Sequence, residues 1–421
     1  MSGKKVLLMN TVAGKGSVGR IVTGLSTALK SRGCDSLICL GRWESPAGHQ
    51  VYRIGSERDV YIHGALSRLT DRHGLYSAAA TGKLIEKIRE YDPDIIHMHN
   101  VHGYYVNYEK LFSFLKNEYA LKEGRRIIWT LHDCWAFTGH CVHFEYAGCT
   151  RWKEGCHDCP EKKQYPASLL LDNSKENYRL KKKAFTGIKN LTLVTPSVWL
   201  KERVEESFLK EYPVHTVPTG IDLSVFKEQK SGLKERYGIG EKTLLLGVAN
   251  PWRERKGFED FLKLAEAAGD SAVIAMVGLN KAQASKASAH RNIIAVMKTD
   301  SIKEMAEWYS AADIYVNLTY EDTFPTTNLE AMACGTPVIT YRAGGSPEAL
   351  TGECGIITGT GDIEGVLEAV KELKERDRKK TGLSCVEQAS RYRLGRMFGS
   401  YLDDVYGLRT DNQSEGYMHS V

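Results

Sequence analysis

The sequence Lys5-Val6-Leu7-Leu8-Met9-Asn10 is a short run of mostly apolar residues, and a glycine-rich loop follows it closely. Ile21, Leu25 and Leu29 then recur at intervals of four, which is typical of an amphipathic helix. Short strands that alternate with helices indicate a parallel sheet covered on both faces. Further strands of this kind, separated by helical sequence, are predicted at 36–40, 94–97 and 127–130.

The same pattern repeats in the second half of the chain. A turn without either period, Val217-Pro218-Thr219-Gly220-Ile221-Asp222, separates the two sets of strands. We therefore predict two doubly wound, Rossmann-like α/β domains that face a central cleft, where ligands bind in such folds. The strands of the second set are predicted at 244–248, 272–277, 293–296, 314–316 and 337–339.

The predicted organisation can be given as residue ranges. The N-terminal domain, on the acceptor side, covers 1–212 and includes a cysteine-rich insertion at 134–160. A linker at 213–225 leads to the second domain at 226–389. The C-terminal helix at 390–408 is expected to pack back on the N-terminal domain, and 409–421 is expected to be a flexible tail.

Composition and charge exclude several classes of protein. The chain has 421 residues, of which 42% are hydrophobic and 26% charged, as in globular proteins. The first apolar run, at 6–9, is far shorter than a signal-peptide core or a membrane span, so a cytoplasmic location is expected. A net charge of +5 is too small to predict nucleic-acid binding.

One segment, 175–189, is more basic than the rest. It places six basic residues against one acid, with Tyr178, Phe185 and Ile188 at helical spacing. A solvated helix face is one interpretation. The other is peripheral contact with anionic lipid headgroups on the cytoplasmic face of the membrane.

The loop Gly14-Lys15-Gly16-Ser17-Val18-Gly19 formally matches a dinucleotide-binding fingerprint. Three residues separate it from the strand, and Gly41-Arg42 stand where an acid is expected, so NAD(P) binding is disfavoured. Glycines still let the backbone approach a phosphate at a helix N-terminus. Gly16 is therefore a candidate phosphate contact, and a simple turn is the alternative.

Two carboxylates in the second half carry the strongest functional signal. The string Glu321-Asp322-Thr323-Phe324-Pro325-Thr326-Thr327-Asn328-Leu329-Glu330 is followed by Ala331-Met332-Ala333-Cys334-Gly335-Thr336-Pro337. A helix is predicted to begin near Thr327, which places its free amides beside Asp322 and Glu330. The alternative is a capping box, in which Glu330 merely satisfies the amides of its own helix.

The whole string resembles the signature of family-4 glycosyltransferases, which are retaining enzymes with the GT-B fold. Exopolysaccharide and colanic-acid-type members are the ones it resembles. The resemblance implies transfer of a sugar from a UDP-, GDP- or dTDP-linked donor to a hydroxyl of a growing, lipid-linked bacterial polysaccharide, without a catalytic cofactor. Further matching segments are Val217-Pro218-Thr219-Gly220-Ile221-Asp222 with Phe226, Tyr309-Ser310-Ala311-Ala312-Asp313 and Gly344-Gly345-Ser346-Pro347-Glu348.

The resemblance also implies roles for individual residues. Glu330 would hold the ribose hydroxyls of the donor, and Asp322 would contact the transferred sugar. The family usually has Glu at the position of Asp322, so Glu321 is a second candidate for that role. The other donor-binding candidates on this string are Phe324, Thr326, Thr327 and Asn328.

The family grips the donor diphosphate with a lysine and an arginine in the first loop of the second domain. Here that loop reads Asn250-Pro251-Trp252-Arg253-Glu254-Arg255-Lys256-Gly257. Lys256 matches the lysine, whereas either Arg253 or Arg255 would supply the guanidinium. A solvated basic turn is the alternative.

Histidines and aromatic residues mark two strand ends in the first domain. His132, after the strand at 127–130, resembles the family histidine that contacts the donor sugar, and a structural histidine is the alternative. The strand before it leads into His99, Tyr104 and Tyr105, which resemble an acceptor-side loop. Packing within the core is the alternative for these three residues.

Four cysteines crowd the insertion at 134–160. Cys141, Cys149, Cys156 and Cys159 could bind a structural zinc ion and so order a loop that is poor in apolar residues. Reduced thiols and redox chemistry are the alternatives. No Asp-x-Asp motif is found in the strings assigned to the cleft, so no catalytic metal is predicted.

Two other functions are compatible with these motifs. A nucleotide-sugar epimerase or hydrolase of the same double-Rossmann fold would act without a glycan acceptor. A non-catalytic nucleotide- or glycan-binding protein would show affinity without turnover.

Overall fold

The computed structural model describes residues 3–42 and 46–409, which form two compact units. The first unit contains the described residues up to Val217 and those from Phe398 onward, and the second is Pro218–Met397. Of the predicted flexible tail, every residue after Arg409 lies outside the described residues.

The first unit contains a seven-stranded sheet in which all neighbouring strands are parallel. In spatial order the sheet runs β3-β2-β1-β4-β5-β6-β7. The strands are β1 (Lys5–Asn10), β2 (Asp35–Leu40), β3 (Gln50–Arg53), β4 (Ile95–Met98), β5 (Arg126–Thr130), β6 (Leu191–Thr195) and β7 (Val214–Thr216).

Six α-helices connect these strands. The first, α1, has its apolar residues at the predicted spacing, so Ile21, Leu25 and Leu29 are buried against the sheet. The helices are α1 (Gly16–Ser31), α2 (Glu57–Thr70), α3 (Ala78–Tyr91), α4 (Tyr108–Asn117), α5 (Ser174–Phe185) and α6 (Val198–Glu205).

The second unit contains a six-stranded parallel sheet in the order β10-β9-β8-β11-β12-β13. Leu244 and Leu246 of β8 belong to the core on one face, and Leu245 belongs to the core on the other, because successive side chains of a strand point to opposite faces. The strands are β8 (Thr243–Val248), β9 (Ala272–Val277), β10 (Ile293–Val296), β11 (Ile314–Asn317), β12 (Val338–Tyr341) and β13 (Gly355–Thr358).

Helices cover both faces of this second sheet. They are α7 (Leu233–Arg236), α8 (Phe258–Ala268), α9 (Lys281–Ala287), α10 (Ile302–Ala311), α11 (Thr326–Ala333), α12 (Ile363–Glu375) and α13 (Arg378–Ser390). Within the described residues no helix combines the length and the apolar character that a membrane span requires.

The end of the chain is less regular than the single helix expected at 390–408. α13 ends at Ser390, α14 follows at Leu394–Ser400, and a π-helical turn covers Tyr401–Val405. Inside the first unit, Arg126 donates hydrogen bonds to the carbonyl oxygens of Val405 and Tyr406. The described residues from 401 onward are thus hydrogen-bonded to the first residue of β5.

The prediction of two doubly wound α/β units is confirmed. Both sheets reverse their strand order once, between β1 and β4 in the first unit and between β8 and β11 in the second. Ligands of such sheets bind beside the carboxyl ends of the strands at this reversal. The loops after these four strands are therefore where a site is expected.

Candidate functional site

In the second unit, the loops that follow β8 and β11 are joined by hydrogen bonds. The amide of Tyr320 donates to the carbonyl oxygen of Arg255 at 2.8 Å. Gly257 has φ 74°, and a Cβ there would lie 2.2 Å from the carbonyl oxygen of Leu318. Only glycine fits this crossing, so the loop carrying Arg255 and Lys256 is held against the loop carrying Glu321 and Asp322.

Two pairs of opposite charges result from this contact. Nζ of Lys256 lies 2.5 Å from Oδ2 of Asp322, and both side chains are about one fifth exposed. Nε of Arg255 lies 3.7 Å from Oε1 of Glu321, whose side chain is buried. Asp322 rather than Glu321 is therefore accessible. Arg253, at the start of the same turn, is exposed.

The carboxylate of Glu330 does not cap its own helix. α11 begins at Thr326 with Pro325 as the N-cap, and no side chain caps it, so the capping-box interpretation is wrong. Oε2 of Glu330 accepts a hydrogen bond from the Tyr309 hydroxyl at 2.9 Å, and Oε1 accepts one from Thr326 at 3.3 Å. The carboxylate is oriented by its neighbours and stays partly exposed.

Two other residues of the same string are buried and pack within the second unit. The side-chain nitrogen Nδ2 of Asn328 donates to the carbonyl oxygen of Ser346 at 3.0 Å. Its side-chain oxygen Oδ1 accepts from Nδ2 of Asn317 at 2.8 Å. Asn328 is fully buried, and the ring of Phe324 packs 5.7 Å from that of Tyr392. Both are thus placed as packing residues, whereas Thr326 and Thr327 are partly exposed.

In the first unit, His99 and His132 meet beyond the ends of β4 and β5. Nδ1 of His99 lies 3.0 Å from Nε2 of His132, and the two rings stack at an interplanar angle of 19°. Burial lowers the pKa of His132 to about 4 and also lowers that of His99. Both imidazoles are therefore neutral near pH 7, and His132 is the more exposed of the two.

A third imidazole, that of His97 in β4, belongs to the interior. Its Nδ1 lies 2.6 Å from the Tyr406 hydroxyl, and its Nε2 lies 2.8 Å from Oγ1 of Thr130. Burial lowers the pKa of His97 to about 3. The histidine therefore links the sheet to the C-terminal segment of the same unit.

The aromatic residues proposed for the acceptor are largely covered. Tyr105 is 1% exposed, and its hydroxyl donates to the carbonyl oxygen of Asn100 at 2.7 Å. Tyr104 is also buried, between the ring of His73 and the guanidinium of Arg42. His99 and Tyr105 thus present little surface to a sugar.

The loops after β4 and β5 also hold a pair that the sequence did not single out. Nε2 of His102 lies 2.9 Å from Oδ2 of Asp133, and Asp133 accepts a hydrogen bond from the Trp135 amide at the same distance. The pKa of Asp133 is held down to about 2, although burial opposes the effect, because His102 and the Trp135 amide favour the carboxylate. An aspartate directly after His132 was the available signal.

The first glycine-rich loop has space beside it. Gly16 has φ 67°, and a Cβ there would meet no atom within 4 Å. It is the first residue of α1, whose N-cap residue, Lys15, makes no side-chain capping bond. Gly16 and Ser17 are exposed residues, as the anion-binding interpretation requires.

The cysteine-rich insertion contributes large apolar side chains to the core of the first unit, so the expectation that it is poor in apolar residues is wrong. Trp135, Phe137, Phe144 and Trp152 are all buried, and the last two stack 4.7 Å apart. Among the residues that the structure describes, no group of three or more Cys, His, Asp or Glu is placed to hold a metal ion. The proposed zinc site at Cys141, Cys149, Cys156 and Cys159 is therefore unsupported.

The prediction for the basic segment at 175–189 is also corrected. Its helix, α5, ends at Phe185, and Lys181 is buried instead of lying on the basic face. Nζ of Lys181 donates to the carbonyl oxygens of Trp135 and Thr138, and burial lowers the pKa of Lys181 to about 7. The exposed basic residues of α5 are Lys175, Arg179, Lys182 and Lys183.

Comparison with known proteins gives the family to which the chain is similar. Residues 18–225 match the family model described as Glycosyltransferase Family 4, and residues 242–376 match Glycosyl transferases group 1. A colanic acid biosynthesis glycosyl transferase of Escherichia coli, WcaC, is 26% identical over 61% of this chain and 62% of its own length. N-acetyl-alpha-D-glucosaminyl L-malate synthase of Bacillus anthracis is 30% identical over 39% of this chain and 45% of its own length. The matches thus span less than two thirds of these relatives.

Solved structures share the fold at low sequence identity. Sucrose-phosphate synthase of Thermosynechococcus elongatus superposes with a TM-score of 0.67 at 14% identity, covering 96% of this chain and 100% of that one. HepE of Anabaena, solved with UDP and glucose, gives 0.63 at 14% identity, covering 96% and 99%. Together with the two family models, this similarity shows that the chain belongs to the family-4 glycosyltransferases of the GT-B fold.

Proposed function

We propose that the chain is a retaining glycosyltransferase that moves a sugar from a UDP-, GDP- or dTDP-linked donor to a hydroxyl of a growing, lipid-linked bacterial polysaccharide. The observation that carries the proposal is the grouping of Lys256, Arg255, Asp322 and Glu330 at the β8 and β11 ends of one sheet. Two cations and two carboxylates within adjoining loops suit a ligand that contains both a diphosphate and sugar hydroxyls.

The two cations would bind the diphosphate. As the bond from the sugar to the phosphate breaks, negative charge grows on the leaving phosphate, and fixed donors at that position lower the barrier. Lys256 is paired with Asp322. Binding of a diphosphate would replace this partner and leave the Asp322 carboxylate to accept a hydrogen bond from a sugar hydroxyl.

Glu330 would hold the ribose. A carboxylate can accept hydrogen bonds from two neighbouring hydroxyls, and the Tyr309 and Thr326 hydroxyls already fix its orientation. Buried Tyr309 stays protonated, because burial raises its pKa well above the usual value, so it donates to Glu330. In the first unit, the neutral imidazole of His132 is suited to hydrogen bonding with the transferred sugar.

Relatives support the choice of donor and acceptor. HepE was solved with UDP and glucose, which are the products of UDP-glucose cleavage. WcaC is named for colanic acid biosynthesis, and a further structural neighbour, WaaG, is described as involved in lipopolysaccharide biosynthesis. An acceptor carried on a lipid would bring the enzyme to the cytoplasmic face of a membrane, where the exposed basic residues of α5 could face anionic headgroups.

A transfer assay tests this proposal. The purified protein is incubated with UDP-, GDP- and dTDP-sugars and with a lipid-linked oligosaccharide extract, and nucleotide release and the anomeric configuration of the product are measured. We expect acceptor-dependent release with retention, and its loss in Lys256→Ala and Glu330→Ala. Arg291→Ala is the matched control, since Arg291 forms an exposed ion pair with Asp270 at the opposite end of α8 from these loops.

Each alternative has a distinct result. Conversion of the sugar nucleotide without an acceptor would indicate an epimerase or hydrolase. Nucleotide-sugar affinity without turnover across all acceptors would indicate a binding protein. Rates that are unchanged in both Lys256→Ala and Glu330→Ala would contradict the site.

A further inference from the structure

α2 of the first unit has an inverted distribution of side chains. Its buried residues are His63 and Ser67, whereas Tyr61, Ile62 and Leu69 are exposed, Tyr61 by 78%. At 100° per residue, positions 58, 61, 62, 65, 68 and 69 fall within one third of the helix circumference. An ordinary surface helix places its apolar stripe toward the core, so the outward apolar stripe of α2 is unusual and is a candidate interaction surface.

A second apolar element lies against the end of this helix. Leu169, Leu170 and Leu171 are consecutive and all exposed, Leu170 by 70%. The Leu169 amide donates to the carbonyl oxygen of Arg68 at 2.8 Å. Scattered exposed leucines are common, but three in a row beside an apolar helix face form a continuous patch.

The leucines are held in place by the hydrogen bonds around them. Ser168 Oγ donates to the carbonyl oxygen of Leu171, and two residues later the Asn173 amide donates to Asp71 Oδ2 at 2.8 Å. Asn173 also donates to the carbonyl oxygen of Thr70 through its side chain. The exposure of the leucines is therefore a property of an ordered turn.

Basic side chains are exposed on the same stretches of chain. Arg58, Arg68, Arg72, Lys163 and Lys175 are exposed, and none forms an ion pair within the part of the chain that the structure describes. The acids on the same elements are engaged otherwise: Glu57 pairs with Arg53, Asp59 caps α2, Asp172 accepts from the Ser174 amide and Glu176 pairs with Arg179. The surface thus combines exposed apolar and basic side chains.

We propose that this surface, formed by the outward face of α2 and the leucines at 169–171, docks on an anionic lipid bilayer. Interfacial helices combine an apolar face that enters the headgroup region with Lys and Arg that reach lipid phosphates, and the aromatic ring of Tyr61 suits that interface. Basic residues near the surface add electrostatic attraction to anionic headgroups.

Self-association fits the patch less well. A two-fold dimer would place the patch against its own copy, so that Arg58, Arg68 and Lys163 would meet side chains of the same sign. A bilayer with anionic headgroups instead offers the opposite charge to the basic side chains and hydrocarbon to the apolar ones. The inference rests on the proposed function in one respect, since a lipid-linked acceptor gives the enzyme a reason to be at a membrane.

Vesicle binding tests the proposal with the full chain. Cosedimentation is measured with vesicles of phosphatidylcholine alone and with vesicles that contain three parts in ten phosphatidylglycerol. The variants are Leu169→Ser/Leu170→Ser/Leu171→Ser and Arg58→Glu/Arg68→Glu. The matched control is Leu383→Ser, which removes a leucine of the second unit that is 65% exposed.

We expect the wild-type chain to bind the anionic vesicles and the control to bind equally. The leucine variant should lose at least tenfold in partitioning, and the arginine variant should lose affinity only for the anionic vesicles. Absence of wild-type binding overturns the proposal. So does a leucine variant that binds like wild type, or a wild-type dimer in sedimentation velocity that this variant dissociates.

Nucleotide affinity is measured on the same samples to separate this inference from the proposed function. The leucine variant should bind UDP, GDP or dTDP as the wild type does, because 169–171 lie in the other unit from Lys256 and Glu330. Vesicle binding without any nucleotide affinity would contradict the proposed function alone. Nucleotide affinity without vesicle binding would contradict the membrane surface alone.

Discussion

The strand ends of the two sheets carry different chemistry. Those of the second unit hold the charged pair of Lys256 and Asp322, whereas those of the first hold the neutral imidazoles of His99 and His132. A paired cation can exchange its carboxylate for a diphosphate. A neutral imidazole can form a hydrogen bond with a hydroxyl, and it carries no positive charge that would attract a phosphate. The difference supports the proposal that the second unit binds the nucleoside diphosphate, whereas the imidazoles of the first unit are suited to a sugar hydroxyl.

The largest expected effect is loss of the Lys256 charge. Lys256→Ala should lower kcat/KM by about a hundredfold to a thousandfold, since removing one preorganised donor to a developing charge costs roughly 2.7–4 kcal/mol. Because Lys256 would also contact the diphosphate in the ground state, part of the loss should appear as weaker nucleotide binding, which titration calorimetry with the free nucleoside diphosphate measures. An unchanged affinity would break the assignment of the nucleotide to the second unit.

The second effect is on stability in acid. His97 and His132 have pKa values lowered to about 3 and about 4, so the folded chain binds fewer protons than the unfolded chain below pH 6.5. The free energy of unfolding is therefore unaffected by these histidines above pH 6.5. It decreases progressively as the pH falls from 6.5 toward 3–4. Between pH 6.5 and 5 this amounts to about 2 kcal/mol for each fully buried histidine.

The stability of the second unit should depend much less on pH in this range, because His290 is the single histidine in its sequence, residues 218–397. Hydrogen exchange at pH 7 and pH 5, corrected for intrinsic rates, compares β1, β4 and β5 with β8, β9 and β11. Equal loss of protection in both sheets would contradict this explanation.

A smaller effect is expected at His132. His132→Ala should lower kcat by about tenfold or more and leave the affinity for the free nucleoside diphosphate unchanged, because the side chain is placed for the sugar and not for the phosphates. Steady-state kinetics and calorimetry on one preparation measure both quantities. A parallel loss of nucleotide affinity would remove the distinction between the two units.

The smallest predicted difference is between two arginines. Arg255 is directed toward Glu321 beside Lys256, whereas Arg253 is exposed at the start of the turn. We therefore expect Arg255→Ala to weaken donor binding several-fold more than Arg253→Ala. The reverse order in donor KM would assign the diphosphate contact to Arg253.

The residues proposed to bind the donor could be singled out from the sequence because charged residues in a fixed spacing leave a clear signal. Lys256 before Gly257, and Asp322 eight positions before Glu330, are readable without a structure. Whether Glu330 caps its helix was not readable, since that depends on α11 beginning at Thr326 and on the Tyr309 hydroxyl coming from another helix.

The first unit was harder to predict because burial decides the role of its residues. Periodicity placed Lys181 on a basic face, but the side chain turns inward and binds two carbonyl oxygens. Trp135 and Trp152 join the core of the first unit from an insertion without regular period. The edge strands β3 and β7 are three to four residues long and partly exposed, so they lack an apolar run.

Hydrogen exchange with and without a bound nucleoside diphosphate tests the central claim most directly. The account predicts that a saturating nucleotide protects the segments 249–257 and 318–332 of the second unit, and that this protection disappears in Lys256→Ala. Protection confined to the first unit, or protection of these segments that persists in Lys256→Ala, would contradict it.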